Sequence, residues 1–403
     1  MVETPFVLLC AGEDSGDVLG EEFVSSVLQS GLKVRGAGGS RMLRAGLEPL
    51  IDFEELPVSG FGDVLPRYFR LRKLYNTMRA ALRSPECVAF IAVDYPGFNM
   101  GLVALAKKLS KPVLYVAPPQ VWAWKRSRAK KLQGVKLAVL FEFEKEVYEK
   151  CGCLVELLRH PFAVSPSELP QVAEPQQTSG LPQASKLPRT MELSRISAEN
   201  AFLLLPGSRK GQALRNLNLY LNAVKSGVLH GERFGERNPV QILAARESLV
   251  APFEKRLNFF FKGAVPDWIS VQIAPADACA RRSLFACARA AIAAPGTATL
   301  ELALSGCPLV VATVPDRLTY AMGKMFVHTD SFAMPNILLH QKVVPEIIVP
   351  SGSLWKGSAQ ILSALENCKK NSAKEIAESL NQKLQGGKSP LELFSQFIQG
   401  DAH

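Results

Sequence analysis

The sequence predicts an α/β protein built as two doubly wound parallel-sheet domains, and three observations carry that prediction. Short apolar runs of strand length alternate with longer stretches of helical periodicity along most of the chain. The alternation is interrupted by a stretch at 163–199, rich in Pro, Gln and Ser and poor in large apolar residues. On each side of it, strands end in turns that open helices, the arrangement that places ligands beyond the carboxyl ends of an open parallel sheet. The expected organisation is an N-terminal domain at 1–162, a linker at 163–199, a second domain at 200–360 and a helical tail at 361–403. The tail is expected to pack back on the first domain or on a partner subunit.

At 403 residues the chain can bury two substantial cores. A net charge of +10 and a pI near 9.2 favour anionic partners: nucleic acid, phosphorylated metabolites or an acidic membrane surface. No recognised nucleic-acid motif accompanies the charge, so nucleic acid is not the expected partner. The 8 cysteines show no Cys-x-x-Cys spacing and no secretory signal opens the chain, which fits a reducing cytoplasm. The apolar run from Ala288 to Val314 is broken by Pro295, Gly296, Glu301, Gly306 and Pro308 into strand, helix and strand, so no transmembrane helix is expected.

Phe6 to Ala11 reads as a strand, followed by the loop Gly12-Glu13-Asp14-Ser15-Gly16-Asp17 and a helix through Phe23, Val24, Val27 and Leu28. The loop carries acids where a phosphate loop would carry glycines and a lysine, which excludes a Walker-type site. Glu13 and Ser15 can instead bind sugar hydroxyls; the plainer reading is Asp14 or Ser15 as a helix cap. Gly36-Ala37-Gly38-Gly39 follows another strand without the full dinucleotide spacing. From Phe61 a basic amphipathic helix places Phe61, Val64, Leu65, Tyr68 and Leu71 among Arg67, Arg70, Arg72 and Lys73, with Pro66 predicting a break or a late start. Such a helix can lie at an anionic bilayer surface or simply dock on its own domain.

Val88 to Val93 is a buried strand that delivers Asp94 to its carboxyl end, where catalysis sits in this class of sheet, with Asn99 shortly after. Pro112 to Ala117 leads to Trp122 and Trp124, an apolar platform or part of the core. Leu137 to Phe141 and Leu154 to Leu158 complete the first set of strands.

In the second domain the strands are Ala201 to Leu205, Val240 to Ala244, Ser270 to Ile273, Ala290 to Ala294 and Pro308 to Val314. The first runs into Pro206-Gly207-Ser208-Arg209, a glycine turn with a permanent guanidinium that can grip phosphate oxygens. The fourth runs into Pro295-Gly296-Thr297-Ala298-Thr299-Leu300-Glu301, where the glycine lets a ligand approach a helix start whose N–H groups suit a phosphate. Thr297 and Glu301 share a helix face, and Glu301 one turn in can accept hydrogen bonds from ribose hydroxyls. The bland alternative is an ordinary turn with Thr297 as cap and Glu301 solvated. Met334-Pro335-Asn336-Ile337-Leu338 and Val343-Val344-Pro345-Glu346 read as short turn-rich pieces. The 5 histidines have no metal spacing and no Asp-x-Asp pair occurs, so neither a metal nor another cofactor is expected.

The ordered set Gly12-Glu13-Asp14-Ser15-Gly16-Asp17, Asp94-Tyr95-Pro96-Gly97-Phe98-Asn99, Val121-Trp122-Ala123-Trp124, Leu205-Pro206-Gly207-Ser208-Arg209, Gly296-Thr297-Ala298-Thr299-Leu300-Glu301 and Pro335-Asn336-Ile337-Leu338 resembles the lipid-A-disaccharide synthase family over nearly the whole chain. The resemblance implies two Rossmann-like domains facing a cleft, the GT-B fold. It implies inverting transfer of a diacylglucosaminyl group from UDP-2,3-diacylglucosamine to 2,3-diacylglucosamine 1-phosphate, with UDP released. On that reading Asp94 is the base and Arg209 stabilises the leaving group. Gly207, Ser208, Gly296, Thr297, Glu301 and Asn336 bind the nucleotide, and Glu13, Ser15 and Asn99 the acceptor. Membrane association follows for the Phe61 helix, with the protein cytoplasmic and peripheral on the inner membrane; a homodimer is compatible with the tail. The chain departs from the family pattern at Gly97, where a second acid commonly stands, at Gln212 and at Arg159. Two other readings share parts of this pattern: a UDP-N-acetylglucosamine 2-epimerase-type isomerase, and a catalytically silent lipid-binding protein of the same fold.

Overall fold

The computed structural model describes residues 4–56, 60–121, 127–163, 200–229, 234, 238–316, 331–350 and 352–400, with backbone alone for 60–68, 127 and 400. It divides into two compact units. The first takes the described residues up to Pro161 and those from Leu384 on; the second takes those from Phe162 to Lys383.

The first unit is a sheet of strands β1 Phe6–Ala11, β2 Lys33–Ala37, β3 Glu48–Pro49, β4 Cys87–Val93, β5 Val113–Val116, β6 Lys136–Val139 and β7 Leu154–Leu157. Their order is β3-β2-β1-β4-β5-β6-β7, parallel throughout. Helices α1 Asp14–Gln29, α2 Ser40–Arg44, α3 Gly60–Arg83, α4 Pro96–Lys108, α5 Ser127–Lys131 and α6 Glu142–Glu149 connect them. Both faces are covered, which is why β1 and β4 are nearly unbroken apolar runs. Phe90, Tyr115, Met78 and Leu82 pack on one face, and Phe23, Val27 and Ile91 on the other. The helix α3 runs through Pro66 without the break that the sequence predicts. Further along it, Leu74, Met78 and Leu82 are buried in the core, and this tertiary packing outweighs one lost backbone bond.

The second unit repeats the plan with β8 Phe202–Leu205, β9 Val240–Ala244, β10 Ile269–Ile273, β11 Ala290–Ala293, β12 Leu309–Thr313 and β13 Glu346–Ile348. The order is β10-β9-β8-β11-β12-β13, again parallel. Its helices are α7 Lys210–Leu229, α8 Val250–Phe260, α9 Ala278–Cys287, α10 Thr297–Leu304, α11 Met334–Leu339, α12 Leu354–Asn367 and α13 Lys370–Leu384. Two pieces that read as turns in the sequence are regular. Met334–Leu339 is a helix with Pro335 in its first turn, where proline is welcome, and Glu346 opens strand β13.

The last helix, α14 Pro390–Gly400, belongs to the first unit. Ser389 and Glu392 form a reciprocal capping box at its start. Leu393, Phe394 and Phe397 then pack with Phe23 and Val27 of α1. Just before it Lys388 bridges to Leu158 beyond β7, and Gly387 at φ +82° lies so close that a Cβ there would stand 2.6 Å from the Arg159 nitrogen.

Each sheet has one place where successive crossovers leave in opposite directions: between β1 and β4 in the first unit, and between β8 and β11 in the second. In open parallel sheets that switch point leaves a crevice at the carboxyl ends of the strands, and ligands bind there. Among the described residues no helix is long and apolar enough to cross a membrane.

Candidate active site

At the β1/β4 switch point the chain leaves β1 through Gly12 and Glu13 and leaves β4 through Asp94. Asp94 and Tyr95 both have left-handed backbones, at φ +45° and +48°, an arrangement that costs non-glycine residues about 1–2 kcal/mol each. Strain of this kind persists when its surroundings fix it from several sides, and it collects at functional sites. Here the Asp94 N–H donates to Val116 O at 2.9 Å. The Asp94 carbonyl accepts from Tyr115 Oη at 3.0 Å and from Asn99 Nδ2 at 2.8 Å. Burial pushes the Tyr115 phenol well above its ordinary range, so it remains a donor. Tyr95 Oη donates to Leu56 O at 2.6 Å, and its ring closes over Gly12 so tightly that a Cβ on that glycine would stand 2.2 Å from the ring. The Asp94 side chain is half-buried, while Gly97 is exposed with nothing within 4 Å of where its Cβ would be.

Asn99, read from the sequence as an acceptor contact, turns its amino group to the main chain. It is fully buried, and Nδ2 faces three carbonyls, those of Cys10, Val93 and Asp94. Its Oδ1 finds no hydrogen-bond partner among the described residues. Asn99 is therefore a support under the Asp94 turn, tying the ends of β1 and β4 together. Glu13 and Ser15 are half-buried at the start of α1, and Glu13 makes no side-chain cap. Neither Asp14 nor Ser15 stands at the cap position, which Glu13 holds.

At the β8/β11 switch point Gly207, at φ +113°, and Gly296, at φ +148°, turn the chain out of adjacent strands. Ala294 N–H donates to Leu205 O at 2.8 Å, and a Cβ on Gly207 would lie 3.5 Å from that of Ala294, so the two loops touch. Gly296 is the cap residue of α10 and no side chain caps that helix; Thr297 is the first residue inside it and is exposed. Thr299 Oγ1 instead donates back to Gly296 O at 2.7 Å. Nothing lies within 4 Å of where a Cβ on Gly296 would stand, so the start of α10 is open there with the positive end of the helix dipole behind it, while the Thr299 N–H donates to Gly296 O at 3.1 Å. Ser208 is half-buried, with its carbonyl held by Arg246 Nη2 at 3.0 Å, and Arg209 is exposed at the start of α7.

Glu301 is not solvated. It is buried, and its Oε1 accepts from Arg281 Nε at 2.7 Å. Arg281 Nη1 donates to the carbonyls of Pro275 and Ala276, the loop after β10, at 2.9 and 2.8 Å. The sequence reading misses Arg281, since it stands mid-helix with no motif around it. Its effect is electrostatic: a carboxylate held against a guanidinium repels a nearby diphosphate less than a bare one. Asn336, read as a nucleotide ligand, is buried, and both ends of its amide are used by the main chain of Val344, at 2.9 and 2.8 Å. It clamps the segment between α11 and β13.

Phe61, Val64, Leu65 and Tyr68 lie within α3, but their side chains are outside the described residues, as are Trp122 and Trp124 altogether. Leu71 is half-buried, and beside it Phe69 is 80 % exposed. Among the described residues no three His, Cys, Asp or Glu side chains gather as a metal site would require.

A sequence model of the family described as lipid-A-disaccharide synthetase matches residues 7–394. The lipid-A-disaccharide synthase of Geobacter metallireducens is 30 % identical over 366 residues, 88 % of this chain and 86 % of that protein. Among solved structures, CalG4, the calicheamicin glycosyltransferase, aligns over 100 % of both chains with a TM-score of 0.54 at 14 % identity. A putative UDP-N-acetylglucosamine 2-epimerase from Listeria monocytogenes also has a TM-score of 0.54, at 12 % identity over 99 % of this chain and 97 % of that one. These two likenesses establish the fold and do not choose between a transferase and an epimerase. The sequence match over nearly the whole chain makes that choice. With two parallel-sheet domains of the GT-B glycosyltransferase fold and that match, the chain belongs to the lipid-A-disaccharide synthase family.

Proposed function

We propose that the chain transfers the diacylglucosaminyl group of UDP-2,3-diacylglucosamine to a hydroxyl of 2,3-diacylglucosamine 1-phosphate, with inversion, forming the acylated disaccharide 1-phosphate and UDP. The observation that carries this reading is positional. The Glu13 and Asp94 turns occupy the switch point of one sheet, and the Gly207–Arg209 and Gly296 turns that of the other. Asp94 takes the proton of the acceptor hydroxyl as its oxygen attacks the anomeric carbon, and the bond to the diphosphate breaks with its electron pair leaving on UDP. Arg209 and the N–H groups at Gly296 and Thr297 meet the charge that develops on the diphosphate. Gly207 and Ser208 let the phosphates approach, and Glu301, oriented by Arg281, accepts from the ribose hydroxyls. Glu13 and Ser15 bind acceptor hydroxyls; Asn99 and Asn336 are positioning residues. With the leaving charge met by these groups, transfer is expected to persist in chelator.

The exposed Phe69 beside Arg70, Arg72 and Lys73 supports α3 as a contact with an anionic bilayer, which would place the protein at the inner face of a membrane. The deciding experiment is UDP release from UDP-2,3-diacylglucosamine in micelles, with and without the monosaccharide 1-phosphate and with chelator, the lipid product followed by mass. Acceptor-dependent release with a disaccharide product supports the reading, and Asp94→Asn should then abolish it with folding intact. UDP binding without any transfer would overturn it in favour of an epimerase or a silent lipid-binding protein.

A further inference from the structure

A groove of about 550 Å³ opens over the carboxyl ends of β2 and β3, lined by Gly38, Gly39, Leu43, Leu50, Ile51 and Phe53. Its size falls within the range of roughly 300–1,000 Å³ common to ligand pockets. None of the chemistry above uses it. Three features say what it takes.

The first is place. Cys10 pairs with Ala37 and Ala11 pairs with Val93, so Gly38 stands level with the Asp94 turn, two strands away across β1. With strands about 4.8 Å apart, the groove begins on the order of 10 Å from the Asp94 backbone, on the same edge of the same sheet. That span is within reach of an acyl chain carried on the sugar whose hydroxyl Asp94 would deprotonate. The second is pre-formation. The wall that carries Leu43 is pinned, because the buried Asp17 carboxylate accepts from the N–H groups of Arg41 and Met42 at 3.0 and 3.1 Å. Gly39 permits that approach, since a Cβ there would stand 2.6 Å from Asp17 Oδ2. The third is chemistry. Ile51 and Phe53 are buried while Leu43 is left 42 % exposed, and the charged side chains at the groove are the exposed acids Asp52 and Glu54. Those carboxylates repel a phosphate and leave a neutral hydrocarbon chain unaffected.

We infer that this groove is the acyl-chain subsite of the acceptor. The inference rests on the proposed transfer reaction for the identity of the acceptor. The chain lies against Leu43, Leu50, Ile51 and Phe53 while the sugar sits over the β1/β4 switch point.

The test is photolabelling of the full chain with 2,3-diacylglucosamine 1-phosphate whose acyl chains end in a diazirine, mapped by peptide mass. Label on the peptides that carry Leu43 and Leu50–Phe53 is expected, and it should fall at least tenfold in Leu43→Asp, an exposed position where the change is tolerated by the fold. Label confined to other peptides overturns the inference. In kinetics with short-chain acceptors kept monomeric, each added methylene should lower KM about fourfold in the natural protein, and this dependence should flatten in Leu43→Asp. Equal dependence in both proteins also overturns it. Labelling requires no turnover, so a labelled groove in a protein without transfer activity counts against the proposed reaction alone. Turnover with an unlabelled groove counts against the groove alone.

Discussion

Replacing Arg281 by Met probes the buried ion pair with Glu301 beside the Gly296 turn. The pair is short, 2.7 Å from Nε to Glu301 Oε1, and both side chains are enclosed, at 11 % and 8 % exposure. Removing one member of such a pair leaves a buried charge without compensation, which typically costs about 3–5 kcal/mol. Arg281→Met also strips the donor from the Pro275 and Ala276 carbonyls. Removing both charges together, as in Arg281→Met with Glu301→Leu, avoids the unpaired carboxylate and should recover most of the loss, because a well-packed apolar pair is often as stable as the ions it replaces. A coupling of about 2 kcal/mol or more is therefore expected around the double-mutant cycle. The assay is hydrogen exchange at the buried strands β8 and β11, which reads the second unit by itself. In parallel, the preference of each protein for UDP over 2′-deoxy-UDP reports whether Glu301 is held for ribose, and it should fall about tenfold in Arg281→Met, the loss of one charged hydrogen bond. Additive effects within about 0.5 kcal/mol, or an unchanged preference for the ribose hydroxyl, would refute the reasoning.

Three further outcomes are expected. Gly12→Ala drives a methyl into the Tyr95 ring and should destabilise the first unit by about 1–3 kcal/mol, whereas Gly97→Ala, which meets nothing within 4 Å, should lie within about 0.5 kcal/mol of the natural protein; thermal unfolding compares them. Asn99→Leu removes the donor to Cys10 and Asp94 carbonyls and should cost about 1–3 kcal/mol in chemical denaturation; if Asp94 is the base, as proposed, kcat should fall more than acceptor KM rises, because the turn that carries Asp94 is displaced. His160 is buried against Phe141, and burial pulls its pKa down to about 4. The unfolded chain binds a proton near 6.5 that the folded one refuses. Stability from this residue is thus complete above pH 6.5 and is lost as pH falls toward 4, by about 3 kcal/mol in all. His160→Gln should flatten that part of the stability profile.

Where a feature is set by neighbouring residues, the sequence shows it. The β1, β4, β8 and β11 runs and the glycine turns at Gly207 and Gly296 are local patterns, and they locate both switch points. Elements without enough length to show a period leave no such pattern: β3 has 2 residues and β13 has 3, and each is a strand because a neighbour offers a ladder to pair with. Pro66 misled for the same reason in reverse, a local rule overridden by the distant core contacts of Leu74 and Met78.

The roles of polar side chains are less legible in a sequence than turns, because their partners are remote in it. Asn99 bonds to Cys10, 89 residues away, and Arg281 to Glu301, 20 away. A sequence motif marks such residues as belonging to the site without saying whether they face a ligand or the backbone beneath it. Burial and hydrogen bonding bear on this. Asn336 is buried, with one N–H and its carbonyl oxygen engaged by the main chain of Val344, while Asn99 directs its amino group at carbonyls in a place closed to solvent. Asp94 shows the converse. Its left-handed backbone occurs without glycine, so no glycine marks that position; the carbonyl anchors from Asn99 and Tyr115 hold the strained form. The carboxylate is what those anchors present, and the polar groups spent on the backbone are what keep it in place.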